Sequence, residues 1–484
     1  MWGWADPGQA VSVTIAGRSE VLTAAADEDG KWSVKLPAMP ANDSGFSILV
    51  TSGGDEPIVI EDVLVGEVWL CSGQSNMAWI LKNTANGPEE AASANDNLLR
   101  FYEVEVSASS KPVEDVDAGW KPAAPEHAPN FTAVGYYFGK DLREHLGVPV
   151  GIIRSAYGGT IAEPWISYET VNTAPEMEVY RQRIAELEAE HPGLMEGFDA
   201  EYKRRIDLQA EIGRERNRLR AAGVPEDQWP RSPGIPTLEP GGRYLPAVLY
   251  NAMIAPLVPY GIRGFTWYQG ESNGTYFTEQ YAGTMRTLIA DWRGLWNDSD
   301  MPFVMVQLAN FRDPQEVPNP NDTWPLIREA QRQVAAKDPN VGMVVTIDVG
   351  EAKDIHPRDK RTVGQRLARW ARAKVYGEAG LLPTGPQLTN AAATPEGVRL
   401  QFTNTADGLR LLEGNSVKGI TVHTEGTEPT FATAQIVAPN AIFVRAPDLT
   451  GTITVRHAWA DNPVWNVVNS EGVPLEPFQV TVQR

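Results

Sequence analysis

The sequence is poor in the residues that build metal and disulfide chemistry. It has one cysteine in 484 residues, Cys71, so no internal disulfide can form and the fold must rest on its packed cores. The same scarcity excludes a multi-cysteine zinc site. The six histidines, at 127, 145, 191, 356, 423 and 457, are scattered and show no H-E-x-x-H spacing. Positive charge is also in deficit. Forty-two Lys and Arg face 62 Asp and Glu, a formal net charge of −20, which argues against a general electrostatic footprint for nucleic acid. No apolar run approaches the 18 residues of a membrane span. The first residues, MWGWADPG, lack a basic n-region and an apolar h-region, so no signal peptide is present as given. The expected localisation is cytoplasmic as written, and secreted or periplasmic if a segment upstream has been removed.

What is present describes a folded protein of two or three domains, with 42% hydrophobic and 21% charged residues. Residues 1–62 alternate apolar and polar side chains in short runs such as "AVSVTIAG" and "KWSVKLP", the pattern of a small β domain. From 63 to 381 the strand-like runs become continuously apolar: 64–71, 148–155, 261–268, 301–308 and 341–348. Helix-like stretches at 133–147, 324–337 and 362–377 separate several of them. This alternation predicts an α/β domain with a mostly parallel sheet covered on both faces. Charged, helix-favouring sequence at 174–223 interrupts the rhythm and predicts an inserted helical hairpin, a solvated excursion or a substrate lid. From 382 to 484 alternating strands return and predict a C-terminal β domain.

Chemistry concentrates at the ends of the apolar strands. "CSGQSNM" places Ser75 just past one of them, where ligands sit in a doubly wound sheet. A serine hydroxyl needs a base, and a base needs an orienting carboxylate. Asp354-Ile-His356 follows strand 341–348, and residues two apart in an extended loop project to one side. "GIIRSAYGGT" brings Gly158-Gly159 to a turn that can expose backbone N–H groups, and "GFTWYQGESN" brings Gln269, Glu271 and Asn273 to another strand end. Four strand ends thus supply a nucleophile, a backbone donor, an amide donor and an Asp–His pair.

Six stretches carry a family resemblance, in order along nearly the whole chain: "VGEVWLCSGQSNM", "RSAYGGTIAEPWIS", "LYNAMIAPLVPYGIRGFTWYQGESN", "WPLIREAQ", "TIDVGEAKDIHPRDKRTVGQRLA" and "VRHAWADNP". The chain resembles the SGNH/GDSL-type hydrolases, specifically the sialate O-acetylesterase-like carbohydrate esterases. That resemblance implies an SGNH-like three-layer α/β sandwich flanked by β-sandwich-like domains. It implies a serine esterase with Ser75 as nucleophile, His356 as base and Asp354 beside it. The oxyanion hole it implies is made by the Ser75 and Gly159 N–H groups, with Gln269 where the wider superfamily has Asn. No metal or organic cofactor is called for. The superfamily commonly sets its Asp three before the His; here that position is Lys353, which leaves Glu351 and Glu271 as alternative supports for the imidazole. Related proteins also carry a strand segment before "WGWA", so an incomplete N-terminal β domain is expected.

The expected partner is an acetylated mono-, oligo- or polysaccharide, with O-acetylated sialic acid first and acetylxylan or another plant polysaccharide second; neither nucleic acid nor a membrane is expected, and the sequence does not address oligomeric state. Asn76, Trp165, Trp267, Glu271, Asn273 and Arg358 are the candidate substrate contacts, with Trp79 a further aromatic near the serine turn. Arg243, Arg312 and Arg358 are the arginines available to a carboxylate-bearing sugar. Two other classes compete: a non-catalytic glycan-binding protein, and a glycosidase using Glu271 and Asp354. The second leaves the Gln269 and Gly159 turns unexplained.

Overall fold

The computed structural model describes residues 1–54, 56–315, 319 and 322–484. A seven-stranded sheet forms the centre, in the order Val341–Val344, Phe303–Val306, Gly264–Tyr268, Glu67–Gly73, Val150–Ala156, Asp96–Glu103 and Lys121–Ala123. Every pairing is parallel except the last. The inner strands are buried along their length because both faces are covered. Trp69, Cys71, Tyr268, Val304 and Val306 face a core shared with helices Ala133–Leu146 and Lys360–Lys374. The alternate residues Leu70, Phe265, Trp267, Phe303 and Met305 face a core shared with helices Tyr281–Leu295 and Trp324–Lys337. This is the physical reason the strands read as continuous apolar runs rather than as alternation.

Strand Glu67–Gly73 lies between Val150–Ala156 and Gly264–Tyr268, and the three end flush: Gly73 is level with both Ala156 and Tyr268. The backbone continues the ladder one step further, with Tyr157 N donating to Gly73 O at 3.0 Å and Gln74 N to Tyr268 O at 2.9 Å. Gly73 has φ +132°, and a β-carbon there would sit 2.3 Å from Tyr268 O, so only glycine fits where the chain leaves the sheet. The register therefore sets three turns side by side at one sheet end.

Caps define the helices behind the site. Thr132 accepts from Gly135 N at 3.2 Å and left-handed Gly147 closes the helix it begins. Asp359 accepts from Thr362 N at 3.0 Å and starts Lys360–Lys374.

Two helices, Glu178–Glu190 and Phe198–Ala221, occupy the stretch where a helical insertion is expected. They are not merely a solvated excursion: Tyr180, Leu187, Phe198 and Tyr202 are buried in the same core as the central sheet. The strand Asp96–Glu103 escaped the sequence reading.

Antiparallel sheets lie to either side in sequence. Residues 10–63 form a four-stranded sheet on a small core of Val11, Val13, Ile15, Ile48 and Val50. Residues 387–483 form two four-stranded sheets and a two-stranded one around a separate core. Buried Arg328 ties the sequence around 460 to the central unit. It donates to the carbonyls of Leu308, Ala309, Ala460 and Asp461 at 2.6–2.9 Å. No helix among the described residues is long and apolar enough to cross a membrane.

Candidate active site

Ser75 opens a short helix, Ser75–Ala78, immediately after the central strand. Its Oγ lies 2.9 Å from Nε2 of His356, which arrives on the loop after the edge strand Val341–Val344. Residues 281 positions apart thus form a hydrogen-bonded pair. With the serine donating, Nε2 is the acceptor and the ring proton belongs on Nδ1. That nitrogen faces Asp354 Oδ1 at 3.4 Å, while the same oxygen accepts the His356 backbone N–H at 2.9 Å. At 3.4 Å the carboxylate acts on the ring by charge more than by a strong hydrogen bond. The alternative carboxylates are occupied elsewhere. Glu351 accepts from Arg358, and Glu271 accepts from Asn76.

Trp79 covers one face of the imidazole, its ring stacked at 4.6 Å with 14° between planes. Burial lowers the His356 pKa, the Lys360 ammonium lowers it further, and Asp354 opposes both. A base kept neutral near pH 7 can take a serine proton.

Beneath this pair lies a buried polar chain that sequence reading missed. Lys360 Nζ donates to Asn76 Oδ1 at 2.5 Å and sits 5.3 Å from the centre of the Tyr268 ring. Asn76 Nδ2 donates to Glu271 Oε1 at 2.5 Å and to Ile355 O at 3.0 Å, which fixes the residue before His356. Lys360 is fully buried, and desolvation brings its pKa from 10.5 down to about 7. Burial likewise raises the Glu271 pKa, against its bond to Asn76. Asn76 and Glu271 are therefore internal struts of the site and present no surface to a substrate.

The glycine turn crosses directly over the serine: a β-carbon at Gly158 would lie 3.3 Å from Ser75 Cβ. Gly159 has φ +66°, the left-handed region that favours glycine. Neither the Ser75 nor the Gly159 N–H has an acceptor among the described residues. Both N–H groups are therefore free to donate to a group outside the chain.

Gln269 does not join them, a correction to the sequence reading. It is fully buried, and its amide donates to Thr160 O at 3.1 Å and to Asn273 Oδ1 at 2.6 Å. Its donors are spent on holding the residue after Gly159. Asn273 is equally enclosed: it accepts from Ala162 N and donates to Glu163. The sugar-stacking expectation for Trp165 and Trp267 also fails. Both are fully buried and meet edge to face at 6.0 Å in the core. They sit beside the turns in sequence but point into a covered face of the sheet. Arg358 is the one candidate substrate contact that is exposed, and it is paired with Glu351 at 3.2 Å. Arg312 pairs with Asp461 at 2.5 Å. Arg243, by contrast, reaches the glycine turn, with Nε donating to Gly159 O at 2.9 Å. No group of three or more His, Cys, Asp or Glu among the described residues is arranged to hold a metal.

Comparison with known proteins places the chain beside carbohydrate acetylesterases. A family model described as carbohydrate esterase, sialic acid-specific acetylesterase, matches residues 65–197 and 235–373. A sialate O-acetylesterase of Mus musculus is 31% identical over 415 residues, which span 80% of this chain and 72% of that protein. The Homo sapiens sialate O-acetylesterase is 30% identical over 418 residues, 80% of this chain and 69% of that protein. Among solved structures, a carbohydrate acetylesterase from Xanthomonas citri superposes with a TM-score of 0.78 at 32% identity. It covers 99% of this chain and 94% of its own.

Proposed function

The chain belongs to the carbohydrate esterase family of sialic acid-specific acetylesterases, and so is a carboxylic ester hydrolase; from that premise we propose a serine mechanism acting on O-acetylated sialic acid. The observation that carries the mechanism is the 2.9 Å contact between Ser75 Oγ and His356 Nε2, under a glycine turn with a free N–H. Ser75 attacks the acetyl carbonyl as His356 takes its proton. The N–H groups of Ser75 and Gly159 hold the tetrahedral oxyanion. The imidazolium, steadied by Asp354, then protonates the departing sugar oxygen, which leaves as a hydroxyl, and an acetyl-serine remains. Water, deprotonated by His356, attacks the acetyl-serine, and acetate leaves as the imidazolium returns its proton to Ser75 Oγ. Architecturally, we read residues 63–381 as an SGNH-type catalytic domain between β-sandwich-like domains at 1–62 and 382–484.

The test is acetate release from p-nitrophenyl acetate and from a panel of acetylated sialic acids, xylan and pectin. Wild type should turn over, with sialic acid esters preferred, and Ser75→Ala should lose about 10³-fold or more in kcat. Full activity in Ser75→Ala would discard the serine mechanism. Preference for xylan would discard the sialic acid assignment and leave the mechanism standing.

A further inference from the structure

The Gly158–Gly159 turn is held from its far side by a part of the chain that makes no contribution to the serine–histidine pair. Gly159 O accepts two hydrogen bonds, from Arg243 Nε and from Tyr244 Oη, both at 2.9 Å. The Arg243 guanidinium lies 5.8 Å from the ring centres of both Tyr157 and Tyr244, and its Nη1 donates to Ile235 O at 3.0 Å. A β-carbon on Gly159 would come within 2.9 Å of Arg243 Nη2, so the turn rests against the guanidinium. The next carbonyl, Thr160 O, is held by Gln269.

The supports are themselves supported by the two inserted helices. Buried Tyr180, on Glu178–Glu190, donates through its hydroxyl to Tyr244 O at 2.7 Å. The backbone just before Arg243 is packed on Phe198–Ala221: a β-carbon at Gly241 would meet the Glu201 side chain at 2.7 Å and Tyr202 N at 3.0 Å. Arg243 N also closes a turn onto Pro236 O at 3.0 Å.

We infer that Arg243 and Tyr244 are positioning residues for the oxyanion hole, and that the helices Glu178–Glu190 and Phe198–Ala221 are the struts that hold them. This rests on the reading of Gly159 N–H as an oxyanion donor. The bonds to Gly159 O fix the peptide plane between residues 159 and 160 and the bond to Thr160 O fixes the next; the plane that carries the Gly159 N–H is restrained through the Gly159 α-carbon on one side and through the Tyr157 N bond to Gly73 O on the other. The Gly159 N–H is then aimed before substrate arrives, and no reorganisation is spent at the moment charge develops. Arg243 acts through the glycine, not on the sugar.

The experiment measures kcat and KM of the full chain on p-nitrophenyl acetate and on an O-acetylated sialic acid. The variants are Arg243→Gln, Arg243→Lys and Tyr244→Phe, with Ser75→Ala alongside. Tyr244→Phe keeps the ring packing and loses only the donor, so it reports even if Arg243→Gln fails to fold. The expected result is a fall in kcat of about 100-fold for Arg243→Gln and about 10-fold for Tyr244→Phe, equal on both substrates, with KM nearly unchanged. Arg243→Lys should recover part of the loss, since it restores the charge but not the fixed Nε donor. A rise in KM confined to the sialic acid ester would make Arg243 a contact for the substrate carboxylate and overturn the inference. Wild-type kcat in Arg243→Gln and Tyr244→Phe, with Ser75→Ala inactive, would overturn it while sparing the serine mechanism. Activity in Ser75→Ala would instead remove the reading on which it rests.

Discussion

Arg328 and Lys360 are both fully buried cations on helices that flank the central sheet, yet they are housed in opposite ways. Arg328 spreads its charge over four backbone carbonyls, and burial brings its pKa from 12.5 to about 9, still well above neutrality. It stays charged and holds two parts of the chain together. Lys360 has one hydrogen bond, to Asn76 Oδ1, and one aromatic face, and its pKa falls to about 7. Its charge is conditional, and it sits where that charge acts on His356. A planar fork with many donors suits a permanent tie, whereas a compact ammonium suits a group whose protonation is to be tuned.

The largest effect that can break this contrast is on stability. Arg328→Met leaves four carbonyls without their donor and should cost about 3–5 kcal/mol in urea unfolding, with kcat of the folded protein barely changed. A loss below about 1 kcal/mol would show that Arg328 is no tie. Next comes Asn76→Ala, which frees Ile355 O and with it the position of His356. A shift of about 1 Å in the base is expected to lower kcat about 100-fold. An unchanged kcat would mean the loop is fixed by other contacts.

Lys360→Met removes a cation that lowers the His356 pKa, so the acid limb of the kcat/KM profile should move to higher pH. Asp354→Asn removes an anion that raises it, so that limb should move to lower pH. The loss in kcat for Asp354→Asn should be about tenfold, far below that of a buried triad acid, because the contact is 3.4 Å and the carboxylate half-exposed. Shifts of the same sign in both variants would contradict the assignment. A separate signal is in linkage. Folded Lys360 releases its proton near pH 7 and the unfolded chain near 10.5, so the unfolded state binds more protons between them. Stability should therefore climb with pH across that window, and the Lys360→Met variant should lack this contribution.

Much of the frame was legible in the sequence because parallel strands buried on two faces leave uninterrupted apolar runs, each ending in a polar turn. Ser75, Gly159, Asp354 and His356 all lie just beyond such runs, and the structure brings them together. Strand Asp96–Glu103 was missed because it lies next to the sheet edge and has charged ends, with only Leu99 and Phe101 deeply buried. Lys360 was invisible for a different reason. At the start of an amphipathic helix, after a capping aspartate, a lysine reads as solvated; only the packing against Tyr268 and Asn76 buries it. Trp165 and Trp267 misled because nearness to a turn in sequence carries no information about facing when both sides of a strand are covered. Arg243 and Tyr244 lie in a loop rich in Pro and Gly, where no periodicity reports direction.

The stack of Trp79 on His356 gives the molecule an optical readout of its own base. A charged imidazole in contact with an excited indole accepts an electron readily and quenches its emission, whereas the neutral ring does so poorly. Although 15 tryptophans emit, the difference between wild type and Trp79→Phe isolates the one that touches the base. Its fluorescence against pH would then trace His356 protonation directly, without substrate and without turnover.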